Sequence, residues 1–349
     1  MPKDENLLFR ELSEQADAIR RTVSNEKDEA DRVARLLGRR RIHFLGMGSS
    51  YFASLYGSYL LANLTHATAM THLASEFVHY PSTIGAKEVC LALSQSGESI
   101  ETLNTVRLLR RKRNLVIGVT NDPRSTLAKL SDHVLLTHAG SEKASSTKTF
   151  AATLAMVYCL TAALAARSKQ IGEMKKELLV NELMRVSRAI DTRLAEWNHE
   201  AKAQSIKFAN CRASLVLARG PNLPAALQGA LLLKEVAKIP AEGMSSGEFT
   251  HGPVEILSRQ VSTVVLGGGR TSKLQHQLAL RSCALHSNTL MITPSAVGKL
   301  ESICHGETNE NLAVFPCVAI LELLAYQTAL KRKLDPDRFR FIHKVTIRE

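Results

Sequence analysis

Three short segments of this chain combine small hydroxylated residues with glycine or lysine in patterns suited to holding an anion. Ser94-Gln95-Ser96-Gly97-Glu98-Ser99 puts three serines on a six-residue turn, more than one helix cap requires. Gly46-Met47-Gly48-Ser49-Ser50 and Ser145-Ser146-Thr147-Lys148-Thr149 vary the theme. A phosphate is held by backbone N–H groups at a helix start and by short hydroxyl donors, with glycine letting the backbone come close. Taken alone, GMGSS reads equally well as an ordinary N-cap turn. It lacks the G-x-G-x-x-G spacing, since Tyr51 stands three residues beyond Gly48 and no acidic ribose ligand is obvious. Two acid–base candidates come later: Glu235 at a helix end, and His251 in a loop closed by Gly252-Pro253. In isolation, Glu235 also reads as a solvated helix carboxylate and His251 as a turn residue.

Each hydroxyl-rich segment follows a short apolar run and precedes a helical pattern. Apolar runs without alternation are strands covered on both faces, and strands alternating with helices make a parallel sheet with right-handed crossovers. Such sheets bind ligands at the carboxyl ends of their strands, where these segments fall. The elements occur twice. FLGMGSSYFASLYGSYLL (44–61) lies over VLARGPNLPAALQGALLL (216–233) at an offset of 172, and the same offset brings VCLALSQSG (89–97) onto VSTVVLGGG (261–269). With a small register slip, LVI (115–117) then meets LMI (290–292). In the second copy LGGGRT stands where the first has SQSGES, so the duplication is asymmetric, with one phosphate-holding half.

The fold expected is α/β: two tandem three-layer α/β/α domains with flavodoxin-like parallel sheets, joined by helices. The expected boundaries are a helical segment 1–38, a first domain 39–168 with the phosphate site, a helical connector 169–208, a second domain 209–334 and a C-terminal tail 335–349. The connector carries apolar residues at three-to-four spacing with no Gly or Pro over MKKELLVNELMRVSRAIDTRLAEW.

A chain of 349 residues accommodates two such domains. The net charge of +12 suits a basic surface or anionic ligands, while aromatics at 5% argue against a base-stacking nucleic-acid platform. The six cysteines stand singly without a Cys-x-x-Cys pair, so neither zinc nor a disulfide framework is expected. The polar start MPKDENLLFRELSEQ is no signal peptide, and no apolar stretch reads as long enough for a membrane span. A cytoplasmic protein with no nucleic-acid or membrane partner is expected.

MGSSY, LSQSGES, SSTKTF, ALLLKE, GEFTHGP and the tail KVTIRE, taken in order, resemble the sugar isomerase (SIS) domain family. The likeness is specifically to the tandem isomerase half of glucosamine-6-phosphate synthase and its shorter relatives, from about residue 40 to the end. The resemblance implies that Ser50, Ser94, Gln95, Ser96 and Ser99 hold a sugar 6-phosphate. It implies that Glu235 moves a proton between C1 and C2, and that His251 assists ring opening from the partner subunit of a homodimer. Ser146 and Lys148 would lie on the sugar, and Lys344 would cover it. No cofactor and no metal are implied. A carboxylate over C1/C2 and a group near neutral pKa at the ring oxygen suit aldose–ketose chemistry.

The departures matter as much. The chain starts directly with the isomerase half, so glutamine hydrolysis is not expected of it. Leu232 stands where the synthase has a lysine one turn before the glutamate, and Gln228 replaces a carboxylate. His343 occupies the position of the synthase's Schiff-base lysine, so that chemistry does not carry over to Lys344. Lys234 is expected to point away from Glu235. The reaction expected is isomerase-type chemistry on an amino-sugar or fructosamine 6-phosphate: deamination of glucosamine 6-phosphate, deglycation of a fructosyl-amino acid 6-phosphate, or plain isomerisation. A sugar-phosphate sensor and an ammonia-fed synthase subunit are the alternatives.

Overall fold

A computed structural model of the protein describes residues 6–38, 40–65, 67–81, 84–85 and 88–341. Its first helices are α1 (Leu7–Ser13) and α2 (Gln15–Leu37). They belong to different compact units, with the division falling between Ser13 and Glu14. One unit comprises Glu14–Ser187 with Phe341, and the other Arg188–Arg340 with 6–13.

In the first unit the chain runs β1 (Ile42–Gly46), α3 (Ser49–Thr65), β2 (Ala69–Leu73), α4 (Ala74–His79), β3 (Val89–Leu93), α5 (Ile100–Arg111), β4 (Leu115–Thr120), α6 (Thr126–Leu130), β5 (His133–Leu136) and α7 (Lys148–Arg167). The five strands are parallel in the order β2-β1-β3-β4-β5. β1 and β3 are buried along their whole length because helices cover both faces. Phe44 of β1 faces α3, where its ring touches Gly57 so closely that a Cβ there would fall 2.5 Å from it. Leu45 turns the other way, into a cluster with Phe77, Leu103 and Val106. α7 packs on α2 and α3 and is buried almost all round. Its 149–166 stretch holds 18 residues without a charge, which corrects the expectation that no segment is long and apolar enough to cross a membrane. α7 and its counterpart in the second unit both pass that test by length and composition, and both are core helices here.

A helix of 37 residues, α8 (Glu173–Ala209), carries the chain from one unit into the other. The second unit continues with β6 (Ala213–Ala218), α9 (Leu223–Glu235), β7 (Ala241–Ser245), α10 (Ser246–Phe249), β8 (Val261–Leu266), α11 (Ser272–Ala284), β9 (Asn288–Thr293), β10 (Ser302–Cys304) and α12 (Val314–Lys331). Its parallel sheet, β10-β9-β8-β6-β7, has the same order when counted from its own first strand. α1 packs here: the Leu7 and Leu8 N–H groups donate to the Asp337 carboxylate at 2.8 and 2.7 Å.

The duplication extends further than the motifs. Ile42 pairs with Ala69 in the first sheet and Ser214 with Ala241 in the second, both partners displaced by 172. Cys90–Val116 and Ser262–Asn288 keep the same offset, so the register slip expected after the second strand does not occur. Turn glycines match too, with φ of +50° and +56° at Gly48 and Gly220, and +65° and +63° at Gly97 and Gly269. α2 ends at 37 and α8 at 209, again 172 apart. The last part of the expected connector is therefore the opening helix of the second repeat.

Candidate functional site

The serines of the first unit converge on one edge of its sheet. β1 and β3 are neighbours, with connections leaving to opposite sides, so their carboxyl ends form the switch point of this strand order. β1 delivers Gly46 and then Ser49–Ser50 in the first turn of α3. Gly46 is required there, because a Cβ would lie 2.7 Å from the Ser50 backbone carbon. β3 delivers Ser94, which is buried, while Gln95, Ser96 and Ser99 are half-buried. Within that turn the Gly97 N–H donates to Ser94 Oγ at 3.2 Å, the Glu98 N–H to Ser96 Oγ at 3.1 Å, and Ser94 Oγ to Ser99 Oγ at 3.4 Å. Ser99 stands at the N-cap of the twelve-residue α5, yet its hydroxyl does not cap the helix. The first N–H groups of α5 thus face the edge uncapped by the Ser99 side chain, with the serine hydroxyls beside them.

The turn is fixed from behind. Gly97 has φ +65° and a Cβ on it would fall 2.2 Å from Ser125 Oγ. The Asn121 N–H and the Thr120 hydroxyl donate to the Gln95 carbonyl at 3.0 and 3.2 Å. The Asn121 side chain in turn takes the Ala139 N–H at 2.8 Å and donates to the Gly140 carbonyl at 2.8 Å. The Glu98 carboxylate accepts the Thr126 N–H at the start of α6, 2.7 Å away.

The third hydroxyl-rich opening, at α7, is already occupied. Glu142 is buried, and its carboxylate accepts the Thr147 N–H at 2.9 Å, the Thr149 N–H at 3.1 Å and the Thr149 hydroxyl at 2.5 Å. The chain's own carboxylate therefore sits where an anion would bind this helix start, and Ser145–Thr149 does not join the other two openings as an anion cradle. Ser146 is half-buried with Oγ 3.1 Å from Thr149 Oγ1, and Lys148 is buried and ion-paired with Glu14.

In the second unit the matching turn already holds a carboxylate of the chain. Over Gly269 the Glu310 carboxylate lies so close that a Cβ would fall 2.6 Å from Oε1. Glu310 also accepts the Arg270 N–H at 3.3 Å and Nε–H at 2.8 Å. Glu235 is the last residue of α9 and is half-buried, while Lys234 is exposed. Leu232 is fully buried, as is Gln228. Sequence reasoning missed Lys238, which has φ +55° and donates its ammonium to the carbonyls of Glu235 and Arg338. Burial, then nearby Arg340, hold the Lys238 pKa down, with Glu235 opposing. His251 is exposed, one residue beyond the C-cap of α10. α9 runs back from the carboxyl edge of its sheet for about 20 Å, whereas α10 starts at that edge after β7. Glu235 and His251 are therefore not brought together within this unit.

Residues 35–163 match the model of the SIS domain. Over that segment the chain is similar to SIS-domain proteins. Glutamine--fructose-6-phosphate aminotransferase [isomerizing] of Gloeobacter violaceus is 31% identical over 97% of this chain and 58% of its own length. The chain thus spans about half the length of the curated relatives it matches. Two solved structures share the fold. The C-terminal domain of glucosamine-fructose-6-phosphate aminotransferase from Francisella tularensis superposes with a TM-score of 0.89 at 22% identity, over 96% of this chain and 99% of that one. Glucosamine-6-phosphate deaminase from Thermotoga maritima gives 0.76 at 19% identity, over 97% and 99%.

On this SIS fold the expected site residues fall into two groups. Ser50, Ser94, Gln95, Ser96 and Ser99 share the open edge of the first unit, with Ser146 just before α7 and Lys148 its first residue; Glu235 and His251 stand in the second unit. Lys344 lies outside the described residues. Glu142 and Asn121 were missed because nothing local distinguishes them: each acts on backbone groups that only the fold brings near. Among the described residues, no group of three or more His, Cys, Asp or Glu side chains is placed to hold a metal.

Proposed function

We propose that this protein is a phosphosugar isomerase-type enzyme acting on an amino-sugar or fructosamine 6-phosphate. The observation that carries this reading is the uncapped start of α5, ringed by the hydroxyls of Ser94, Ser96 and Ser99 at the switch point of the sheet. Ser50 and Gln95 complete the phosphate cradle. Glu235 serves as the base that moves a proton between C1 and C2, and His251 as the group that opens the sugar ring. On glucosamine 6-phosphate, the proton leaves C2 and returns to C1. The resulting C2 imine takes up water, releasing ammonia and fructose 6-phosphate. Leu232 supports a second reading, deglycation. With a buried leucine where a lysine is expected in the synthase, the site suits departure of an amine helped only by an acid and water. There the proton moves from C1 to C2, and hydrolysis of the C1 imine releases glucose 6-phosphate and the amine.

The separation of Glu235 from His251 within one unit supports a homodimer in which His251 reaches the partner's site. The free state of all six cysteines suits a cytoplasmic location. Purified protein given glucosamine 6-phosphate should release ammonia and fructose 6-phosphate in equal amounts. Silence there with turnover of fructosyl-amino acid 6-phosphates would establish the deglycase, and silence with both would favour a sugar-phosphate sensor. For the shared site, random mixing of inactive Glu235→Gln and His251→Ala chains should restore about a quarter of wild-type activity, since half the dimers carry one intact site of two. No recovery would place both residues in one subunit's site.

A further inference from the structure

Arg219 follows β6 at the carboxyl edge of the second sheet, where the repeat puts Met47 in the first copy, so the cation belongs to the second copy alone. It is half-buried, and among the described residues no carboxylate pairs with its guanidinium. Its Nε–H is closed off from solvent without an acceptor. Arg270, beyond β8 on the same edge, is by contrast held by Glu310. Ala218 and Ser245 are register partners, so Arg219 and Ser246 leave neighbouring strand ends side by side. The guanidinium lies against the first turn of α10: a Cβ on Gly247 would fall 3.3 Å from Arg219 Nη2 and 3.5 Å from Cζ. Ser246 is 1% exposed, and its hydroxyl has no partner among the described residues. A half-buried cation left unpaired costs stability, which a chain tolerates where an anion from outside completes it.

We propose that Arg219 and Ser246 form a binding site for a carboxylate at this edge. One guanidinium carries a single charge and a planar fork of donors, which matches the two coplanar oxygens of a carboxylate. The Gly247 N–H beside it is already taken by Ser245 Oγ at 3.3 Å, so it adds no donor for a doubly charged phosphate. The site stands one turn from His251. The Thr250 N–H donates to the Gly247 carbonyl at 3.2 Å and the His251 N–H to the Glu248 carbonyl at 2.9 Å, carrying the turn of α10 onward. The carboxylate has two sources: a free small acid, or the amino-acid end of a fructosyl-amino acid 6-phosphate. The second source rests on the proposed function; the site itself does not.

Urea unfolding in chloride and in acetate at equal ionic strength tests the site without any sugar. Arg219→Met removes the unpaired charge and keeps an unbranched side chain, so its midpoint in chloride should equal or exceed that of the wild type. Acetate at ten times its dissociation constant should favour folded wild-type protein about elevenfold beyond its effect on the variant. Arg219→Lys keeps the charge without the fork and should lose most of that gain, so the test stands even if the methionine variant fails to fold. An acetate response equal in wild type and variants overturns the inference. A lower midpoint for Arg219→Met in chloride does too, since the guanidinium would then be a structural group. Calorimetry with fructosyl-glycine 6-phosphate and its methylamine counterpart, which lacks the carboxylate, assigns the source. If the substrate supplies it, Arg219→Met weakens the glycine compound by about tenfold and the methylamine compound by less than about twofold. Unchanged binding of both gives the site to a free acid, and equal weakening of both overturns the carboxylate reading. Should neither compound bind wild-type protein, the sugar-phosphate reading fails, while the acetate result still decides this one.

Discussion

Gly97 concentrates the demands of the proposed phosphate turn in one residue. Its φ of +65° lies in the region that side chains disfavour, and a Cβ would fall 2.2 Å from Ser125 Oγ and 2.4 Å from Ser125 Cβ. Gly97→Ala should therefore lower the stability of the fold by about 1–3 kcal/mol and weaken inorganic phosphate. Urea unfolding and calorimetry on the same variant check both. The matching Gly269→Ala has a similar φ but meets the end of the Glu310 side chain, so it should leave phosphate binding alone. At this scale the sequence was legible in composition: three serines and a glycine mark the turn that the fold places at the switch point of the sheet. It was not legible where a single carboxylate acts across a loop. Glu142 is one acidic residue among many until the fold lays the Thr147 and Thr149 amides against it.

Among the elements, the buried central strands were readable as apolar runs, and β2 and β7 were not. AMTHL and AEGMS stand at sheet edges and are only partly buried, so no selection for continuous apolar character marks them. The long helices raised the converse problem. The uncharged stretch of α7 is what a helix enclosed by other helices needs, and composition alone cannot tell that from a membrane span. α9 has the same closed character around Leu232, which is 1% exposed. Placing there the lysine expected in the synthase should cost on the order of 3–5 kcal/mol, because the ammonium would be buried without a partner. An unchanged urea midpoint for Leu232→Lys would show that this face of α9 has room the structure does not indicate.

For the molecule as a whole, acid is the condition to which its buried and half-buried histidines answer. Burial holds His305 at about 4 and lowers His43 and His72 below the ordinary histidine value. These groups are neutral in the folded chain and take protons more readily when unfolded. Stability is therefore fully present above pH 6.5 and is lost as pH falls from there toward 4. His305 alone accounts for up to about 3 kcal/mol of that loss. His305→Leu should flatten the decline when urea midpoints are compared between pH 7 and 4.5. An equally steep decline in the variant would assign the acid sensitivity to other groups. The 172-residue repeat was the strongest large-scale signal in the sequence, and it held in strand order, in register and in turn dihedrals. Its extension back into α8 escaped notice because helices of solvated character keep little sequence identity.

The carboxylate of Glu310 over Gly269 gives the two repeats different relations to solution ions. One half carries its counter-anion covalently, so its turn is complete in pure water. In the other, the start of α5 is left to water or, on the proposed function, to a bound phosphate. If the proposed phosphate site is right, phosphate should act as a folding ligand for that half of the molecule only, adding stability there that grows with the logarithm of its concentration. Amide hydrogen exchange followed along a phosphate titration should slow over residues 95–102 and stay constant over 267–273. Equal protection of both turns would mean that Glu310 yields its place to a stronger anion.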